Sequence, residues 1–453
     1  MTHYQVTNPA TGEIEEQYEN HSDQEVHDFI TESHDAYQVW RKIDVKTRAQ
    51  ILNKIADLYD EQRETLAKIM ACEMGKPVAQ GEGELELVSE IFRYYAKYGE
   101  QFLETAELPN TQNAVVKKES IGVLLGIMPW NYPHYQVARF IAPNLMLGNA
   151  IILKHAPSCP KSATAIVSIL AQAGLPKGVY NNIFVTNDQV KTIINDKRIQ
   201  GVSLTGSERA GAAVAQVAGA ALKKVVLELG GSDPFIVLAD ADIDQAVECA
   251  FIGRFGNAGQ ACNAAKRIIL QAAIYDEFVE KLTHRVEALE PTNPLDKDTF
   301  LGPLSSNQAL ETIQAQYDNA VKQGATVLVA GGQISKSGAW FKPSLLADIT
   351  PDMQAYHDEL FGPVAVVYKA ADVEDAIRLA NDTSFGLGAC IHTQNLARGQ
   401  VVAEQLEVGM VAFNQAPGTA AEHPFGGVKR SGFGRELGPY GMSEFVNFKL
   451  YSK

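Results

Sequence analysis

Apolar and polar positions along the chain keep a helical rhythm at first and a shorter strand–helix alternation later. Residues 1–20 read as short strands broken at Asn8-Pro9 and Thr11-Gly12, pairs that turn a backbone. Ser22-Asp23-Gln24-Glu25 has the form of a capping box, and Val26, Phe29, Ile30, Tyr37 and Trp40 follow at helical spacing. A second helical stretch is expected from about Lys46 to Met74, with Ile51, Ile55, Leu58, Leu66, Ile69 and Met70 inward, stopping at Gly75-Lys76-Pro77. Another is expected from Glu82 to about Leu103. These stripes are packing surfaces.

From Ala114 the pattern shortens. Residues 115–121 alternate like a half-exposed strand, and 122–128 read as a buried one. Strand-like runs at 150–154, 182–185, 201–205 and 225–229 then alternate with helices expected after Pro160, near Gln189 and after Gly206. Repeated β-α-β predicts a mostly parallel, doubly wound sheet. A second block runs from Pro234 to about Asn414, with strands expected at 234–238, 267–270, 326–330 and 363–368 and helices after Asp242, Tyr275, Ser306 and Val373. The strand-like tail at 444–451 lies far from its own sheet and is expected to complete another subunit's. The expected fold class is α/β: two doubly wound (Rossmann-like) α/β domains plus a small β oligomerisation arm. Gly230-Gly231 is the only local break between the blocks.

A chain of 453 residues exceeds one hydrophobic core, which agrees with that division. With 46% apolar and 21% charged residues the composition is ordinary for a globular protein. The net charge of −15, without long runs of one sign, argues against nucleic acid and anionic membranes as partners. It also means that an anionic substrate needs a local basic pocket. Cysteines at 72, 159, 249, 262 and 390 show neither CxxC nor His-rich spacing, which fits reduced thiols and no metal site. The first residues have no leader pattern and the longest apolar run, near 121–130, is short for a membrane span, so a cytoplasmic location is expected.

Chemistry concentrates in Phe255-Gly-Asn-Ala-Gly-Gln-Ala-Cys262-Asn-Ala-Ala-Lys-Arg267. Small neighbours let other molecules approach the sulfur, and no aspartate or glutamate lies within ten residues, so the thiolate is expected to stay within reach. Val226-Leu-Glu228-Leu-Gly-Gly231 sets a carboxylate in an apolar run, where burial raises its pKa and suits it to general-base work. Cysteine plus poised glutamate is what acyl transfer through a thioester requires. Each alone has a plainer reading, a packed core thiol or a strand-end ion pair. Met128-Pro-Trp130-Asn131-Tyr-Pro133 holds an amide at a strand end, as an oxyanion donor or as a turn. Lys154 follows a strand, and Thr205-Gly206-Ser207 opens a helix whose free N–H groups suit a phosphate.

At these motifs the chain resembles the aldehyde dehydrogenase superfamily. The resemblance runs from Asn8-Pro-Ala-Thr-Gly12 to the tail strand, with six motifs in the family's order, and is strongest to the shorter bacterial succinate-semialdehyde dehydrogenases. It implies Cys262 as nucleophile, Asn131 with the Cys262 N–H as oxyanion hole, and Glu228 as the base that hydrolyses the thioester. It implies NAD or NADP as cofactor, with Trp130 beside it, Lys154 on the adenosine ribose, and Gly206 and Ser207 on a phosphate. In His357-Asp-Glu359-Leu-Phe361-Gly-Pro363, Glu359 would hold the nicotinamide ribose and Phe361 pack beside the ring. Strictly NAD-preferring members often carry Glu where this chain has Pro157, which leaves the choice of cofactor open.

The resemblance divides the chain into a cofactor-binding part (1–230, with an arm strand inserted at about 105–120), a catalytic part (231–427) and a bridging segment (428–453). The glycine-dense 424–438 would line the substrate entrance. Arg139 and Thr419 stand where succinate-semialdehyde dehydrogenases bind the substrate carboxylate, whereas a second arginine and a second loop cysteine of that subfamily are Gly256 and Ala264 here. The expected reaction is oxidation of succinate semialdehyde to succinate. The alternatives are a broad aliphatic or amino-aldehyde dehydrogenase and a non-catalytic binding protein of the same fold. A homodimer or homotetramer is expected.

Overall fold

The computed structural model describes residues 3–108, 114–334 and 337–452. Strand Val123–Ile127 shows why the early apolar runs are continuous. Val123 and Leu125 pack into one core with Ile152, Val190, Val202 and Val214, while Leu124 enters another with Ile91, Phe140 and Leu153. Helices cover both faces, so neither face favours polar side chains.

Six strands form this sheet in the order Gly432–Phe433, Lys224–Glu228, Ile199–Thr205, Val123–Ile127, Ala150–Lys154, Tyr180–Asn182. The last five are parallel, and Gly432–Phe433 joins antiparallel opposite Glu228 and Leu227. The strand expected at 182–185 is displaced to 180–182, because Ile183 makes the last backbone bond to Leu153 (2.8 Å) before the chain turns away.

Seven strands form the second sheet: Thr326–Val329, Ser344–Ala347, Val364–Ala370, Ala265–Gln271, Asp233–Val237, Gly388–His392, Met410–Phe413. All are parallel except the first. Helices Ile243–Phe255, Tyr275–Glu287, Asn307–Gln323 and Val373–Asn381 stand between them, as the spacing predicts. One hydrophobic cluster spans this sheet, each fully buried Leu, Ile or Phe contributing roughly 1.5–3 kcal/mol. The expected α/β class with two doubly wound sheets is what the chain forms.

Three further elements differ from expectation. The helix expected over about 46–74 is two, Val45–Glu61 and Arg63–Met74, broken at Gln62 (φ −103°, ψ 7°). The break lets both pieces lie along the long helix Val78–Phe102. That helix begins before the expected Glu82, directly after Pro77, whose fixed φ suits a helix start. The tail strand Val446–Ser452 pairs antiparallel with Ala114–Ser120 of its own chain, where the sequence pointed to another subunit. Of the arm strand expected at about 105–120, residues 109–113 lie outside the described residues; Ala106–Glu107 and Ala114–Ser120 pair with each other. No described helix is long and apolar enough to cross a membrane.

Candidate active site

The carboxyl edge of the first sheet gathers the chemistry. Glu228 ends one strand, Thr205 the next, and Trp130 and Asn131 follow Val123–Ile127. The loop ahead of Ala265–Gln271 brings Cys262 to this edge. Asn257, Ala258 and Gly259 in that loop have φ of 51°, 53° and 71°. Left-handed Asn and Ala persist only where packing over-determines them. Here Asn257 N–H donates to Gln80 Oε1 (2.7 Å) and its Nδ2 to the Asn131 carbonyl (2.9 Å). The Gln260 amide oxygen accepts from Ser305 N–H (2.9 Å), and buried Arg254 donates to the carbonyls of Gly259 (3.3 Å) and Leu360 (2.8 Å).

The result is a cleft of about 290 Å³ lined by Trp130, Asn131, Gly206, Ser207, Cys262, Glu359 and Phe361. Asn131 Nδ2 donates to the Gln260 carbonyl at 3.0 Å, which uses one of its two hydrogens. Trp130 and Phe361 meet edge-on with ring centroids 5.8 Å apart. The Ser207 hydroxyl caps helix Glu208–Ala220, accepting from Ala210 N–H at 3.4 Å. Glu359 Oε1 accepts from Gly231 N–H (3.1 Å) and Lys266 Nζ (2.8 Å). A side chain at Gly230 would collide with the Glu359 carboxylate, and one at Gly231 with the Cys262 carbonyl, which explains the glycine pair after Glu228.

Glu228 is buried, and neither carboxylate oxygen has a hydrogen-bond partner among the described residues. Burial holds its carboxyl well above the usual range, with Arg139 pulling it back and Glu436 pushing it up. Burial likewise pushes the Cys262 thiol up to about 12, against the pull of Arg139 and Lys266. The expectation of an easily reached thiolate is therefore corrected. Cys262 is partly buried at the wall of the cleft, yet the burial around it outweighs the lack of nearby carboxylates in sequence, and Glu228 and Glu359 approach from distant segments.

Other candidates fall outside this cleft. Lys154 lines a separate one of about 160 Å³, walled by helices Asn187–Asn195 and Glu208–Ala220. Burial pulls its ammonium down to about 8. Thr419 lines a cavity of about 530 Å³ shared with Asn263, its hydroxyl oxygen buried and without a hydrogen-bond partner among the described residues. Arg139, expected to face substrate, is fully buried in helix Tyr135–Leu147. It pairs with Glu436 and donates to Thr205 Oγ1 (3.1 Å) and the Tyr135 hydroxyl (3.4 Å), so interior groups take its donors. Sequence reasoning missed Arg254 and Lys266; their signal was a pair of cations flanking an otherwise small, uncharged run.

Residues 1–451 match the model of the aldehyde dehydrogenase family. The chain is 48% identical over 448 residues to a succinate-semialdehyde dehydrogenase (NADP+) of Deinococcus radiodurans, covering 99% of this chain and 94% of that protein. It is 41% identical to succinate-semialdehyde dehydrogenase (NADP+) 1 of Mycobacterium ulcerans over 98% of each. The crystal structure of succinic semialdehyde dehydrogenase from Streptococcus pyogenes in complex with NADP+ superposes with a TM-score of 0.98 at 40% identity, over 99% of each chain. In sequence and in fold alike, this chain belongs to the aldehyde dehydrogenase family.

Proposed function

We infer that the protein oxidises succinate semialdehyde to succinate, with NADP as hydride acceptor, through a thioester on Cys262. The observation that carries this reading is the single cleft uniting Cys262 and Asn131 with Trp130, Gly206, Ser207, Glu359 and Phe361. The Cys262 thiolate adds to the aldehyde carbon, and the Asn131 amide and Cys262 N–H hold the resulting oxyanion, an interaction worth about 3 kcal/mol. Oxidised NADP, held by Glu359, Ser207 and the start of helix Glu208–Ala220, would supply the two-electron acceptor for the hydride of that carbon, whose loss leaves an acyl group on sulfur. Glu228 then accepts a proton from water as the water adds to the acyl carbon. The C–S bond breaks, succinate leaves, and the sulfur returns as thiolate.

The residues present fit the cofactor. Glu359 offers a carboxylate to ribose hydroxyls, and the start of helix Glu208–Ala220 offers N–H groups to phosphate. The cleft around Lys154 has no carboxylate among its lining residues, so a 2′-phosphate meets no repulsion there. Pro157, in place of a glutamate, supports the same choice over NAD, as do the names of the relatives.

Arg139 and Thr419 are the proposed contacts of the substrate carboxylate, and the guanidinium's charge already reaches Cys262. The internal commitment of Arg139 to Glu436 favours a second reading, a broad aliphatic or amino-aldehyde dehydrogenase. The exposed edge strand Val446–Ser452, with Phe448 and Leu450 outward, supports a homodimer or homotetramer, and a cytoplasmic place is part of the same reading. Initial rates with succinate semialdehyde and an uncharged aldehyde of equal length, each with NADP and NAD, test the substrate and the cofactor. A higher kcat/KM for the anionic aldehyde that disappears in Arg139→Ala is the expected result; equal values move the assignment to the broad enzyme.

A further inference from the structure

Lys266 plays no part in the steps above, yet it touches both halves of the site. Its side chain is 1% exposed, and its ammonium donates to the carbonyls of Ala261 (2.8 Å) and Cys262 (2.7 Å) and to Glu359 Oε1 (2.8 Å). An ammonium has three hydrogens, so its donors are fully used. Two of the acceptors belong to the nucleophile's loop. The third is the carboxylate that lines the cleft. Asp233 also faces the ammonium, and burial pushes its carboxyl up to about 8. The Phe361 ring lies 5.5 Å from Lys266 Nζ.

The charged groups felt by the Cys262 thiol are Arg139, Lys266, Glu228 and Glu359, with the Tyr132 and Tyr135 hydroxyls also close. Arg139 is held by an internal carboxylate that lines no part of the cleft. Lys266 is different, because its counter-charge is a group that a ligand in the cleft can reach.

We propose that Lys266 is a positioning residue that couples the seating of the cofactor at Glu359 to the reactivity of the Cys262 thiol. The inference rests on the roles given to Cys262 and Glu359 above. In the free protein Glu359 compensates the ammonium. Ribose hydroxyls that donate to Glu359 draw its charge away, and the less compensated ammonium favours the thiolate. No covalent bond changes in this step except the S–H bond, whose proton passes to solvent. By linkage, a deprotonated Cys262 tightens the cofactor in return.

Alkylation of Cys262 by iodoacetamide, followed on its own peptide across pH with and without saturating NADP, reads the coupling without any aldehyde. In the unaltered protein NADP is expected to move the profile to lower pH. A displacement of about one pH unit makes alkylation on the acid side about tenfold faster. Lys266→Met, similar in length and uncharged, is expected to move the profile of the free protein to higher pH and to abolish the response to NADP. Glu359→Gln is expected to move it to lower pH and also to abolish that response. Opposite directions from the two ends of one hydrogen bond do not follow from a loosened loop. Profiles that move the same way, or a response to NADP retained in Lys266→Met, overturn the proposal. Should Lys266→Met fail to fold, Glu359→Gln decides alone, and a profile at unchanged or higher pH overturns it. Failure of the underlying reading looks different: NADP affinity would be unchanged in Glu359→Gln, or aldehyde oxidation would survive in Cys262→Ser.

Discussion

Arg139 and Glu436 meet in the interior, their side chains 0% and 6% exposed, and so tie the helix that follows Asn131 to the segment that covers Glu228. Burial opposes the charge of the guanidinium, and Glu436, acting with Tyr135, Glu228 and Cys262, more than restores it. Removing one member strands the other, which costs about 3–5 kcal/mol. Glu436→Gln is therefore expected to lower the urea unfolding free energy by that amount. Arg139→Met combined with Glu436→Gln should recover most of it. A single variant that unfolds at the original midpoint would show that the pair does not support the fold.

Glu228 makes a different forecast, because its carboxylate has no hydrogen-bond partner among the described residues to lose. Glu228→Gln is expected to fold normally and to form the thioester, yet fail to hydrolyse it. Rapid mixing should then show one reduced cofactor per site, followed by a steady rate lower by about 10²–10⁴. A uniformly slow reaction without that first turnover would place Glu228 in acylation instead.

Legibility of the site followed sequence distance. Cys262, Glu228 and Asn131 each stand out within a few neighbours, and the cleft brings Cys262 and Asn131 together. What the neighbours do not carry is the partner. Glu436 on Arg139, Glu359 on Lys266 and Leu360 on Arg254 all arrive from segments remote in the chain. The thiol's acidity was misread for the same reason, since its surroundings come from across the fold. The fold itself was readable because both sheets are built from short apolar runs with helices between. The break at Gln62 was not, because the inward rhythm of Leu58 and Leu66 continues across it.

The role proposed for Lys154 would give NADP binding a pH dependence. Burial lowers its ammonium to about 8 in the free protein. An anionic 2′-phosphate binds the charged form, so NADP affinity is level between the second ionisation of that phosphate, at about pH 6, and the value for Lys154, and falls as pH rises through the latter. The fall approaches about tenfold per pH unit at most, as long as one proton is involved. Binding titrations between neutral and alkaline pH should show it with NADP, more weakly with NAD, and in neither case for Lys154→Met. An equal fall with both cofactors would detach Lys154 from the 2′ position.

Glu73 bears on stability. Its carboxylate accepts from Lys161 N–H (2.6 Å), Ser162 N–H (3.1 Å) and the Ser162 hydroxyl (2.5 Å) at the start of helix Pro160–Gln172. Burial nevertheless outweighs those donors and lifts it from an ordinary 4.5 to about 7. Between those values the folded chain holds a proton that the unfolded chain has released, so stability falls as pH rises through the window. The contribution is about 1.4 kcal/mol per pH unit crossed. Glu73→Gln is expected to flatten that slope in denaturation curves taken from pH 5 to 7; an unaltered slope would assign it to other groups.

Gly432–Phe433 lies on the outer edge of the strand that carries Glu228, and Leu437, Met442 and Phe445 fill the same core as Phe140. Translation reaches those residues only after the whole second sheet has been made. On the ribosome the first sheet must therefore wait with one edge open and its apolar flank uncovered. Glu228 gains its dry surroundings last, so a nascent chain that stops short of Gly432 holds Cys262 but not the closed pocket around the proposed base.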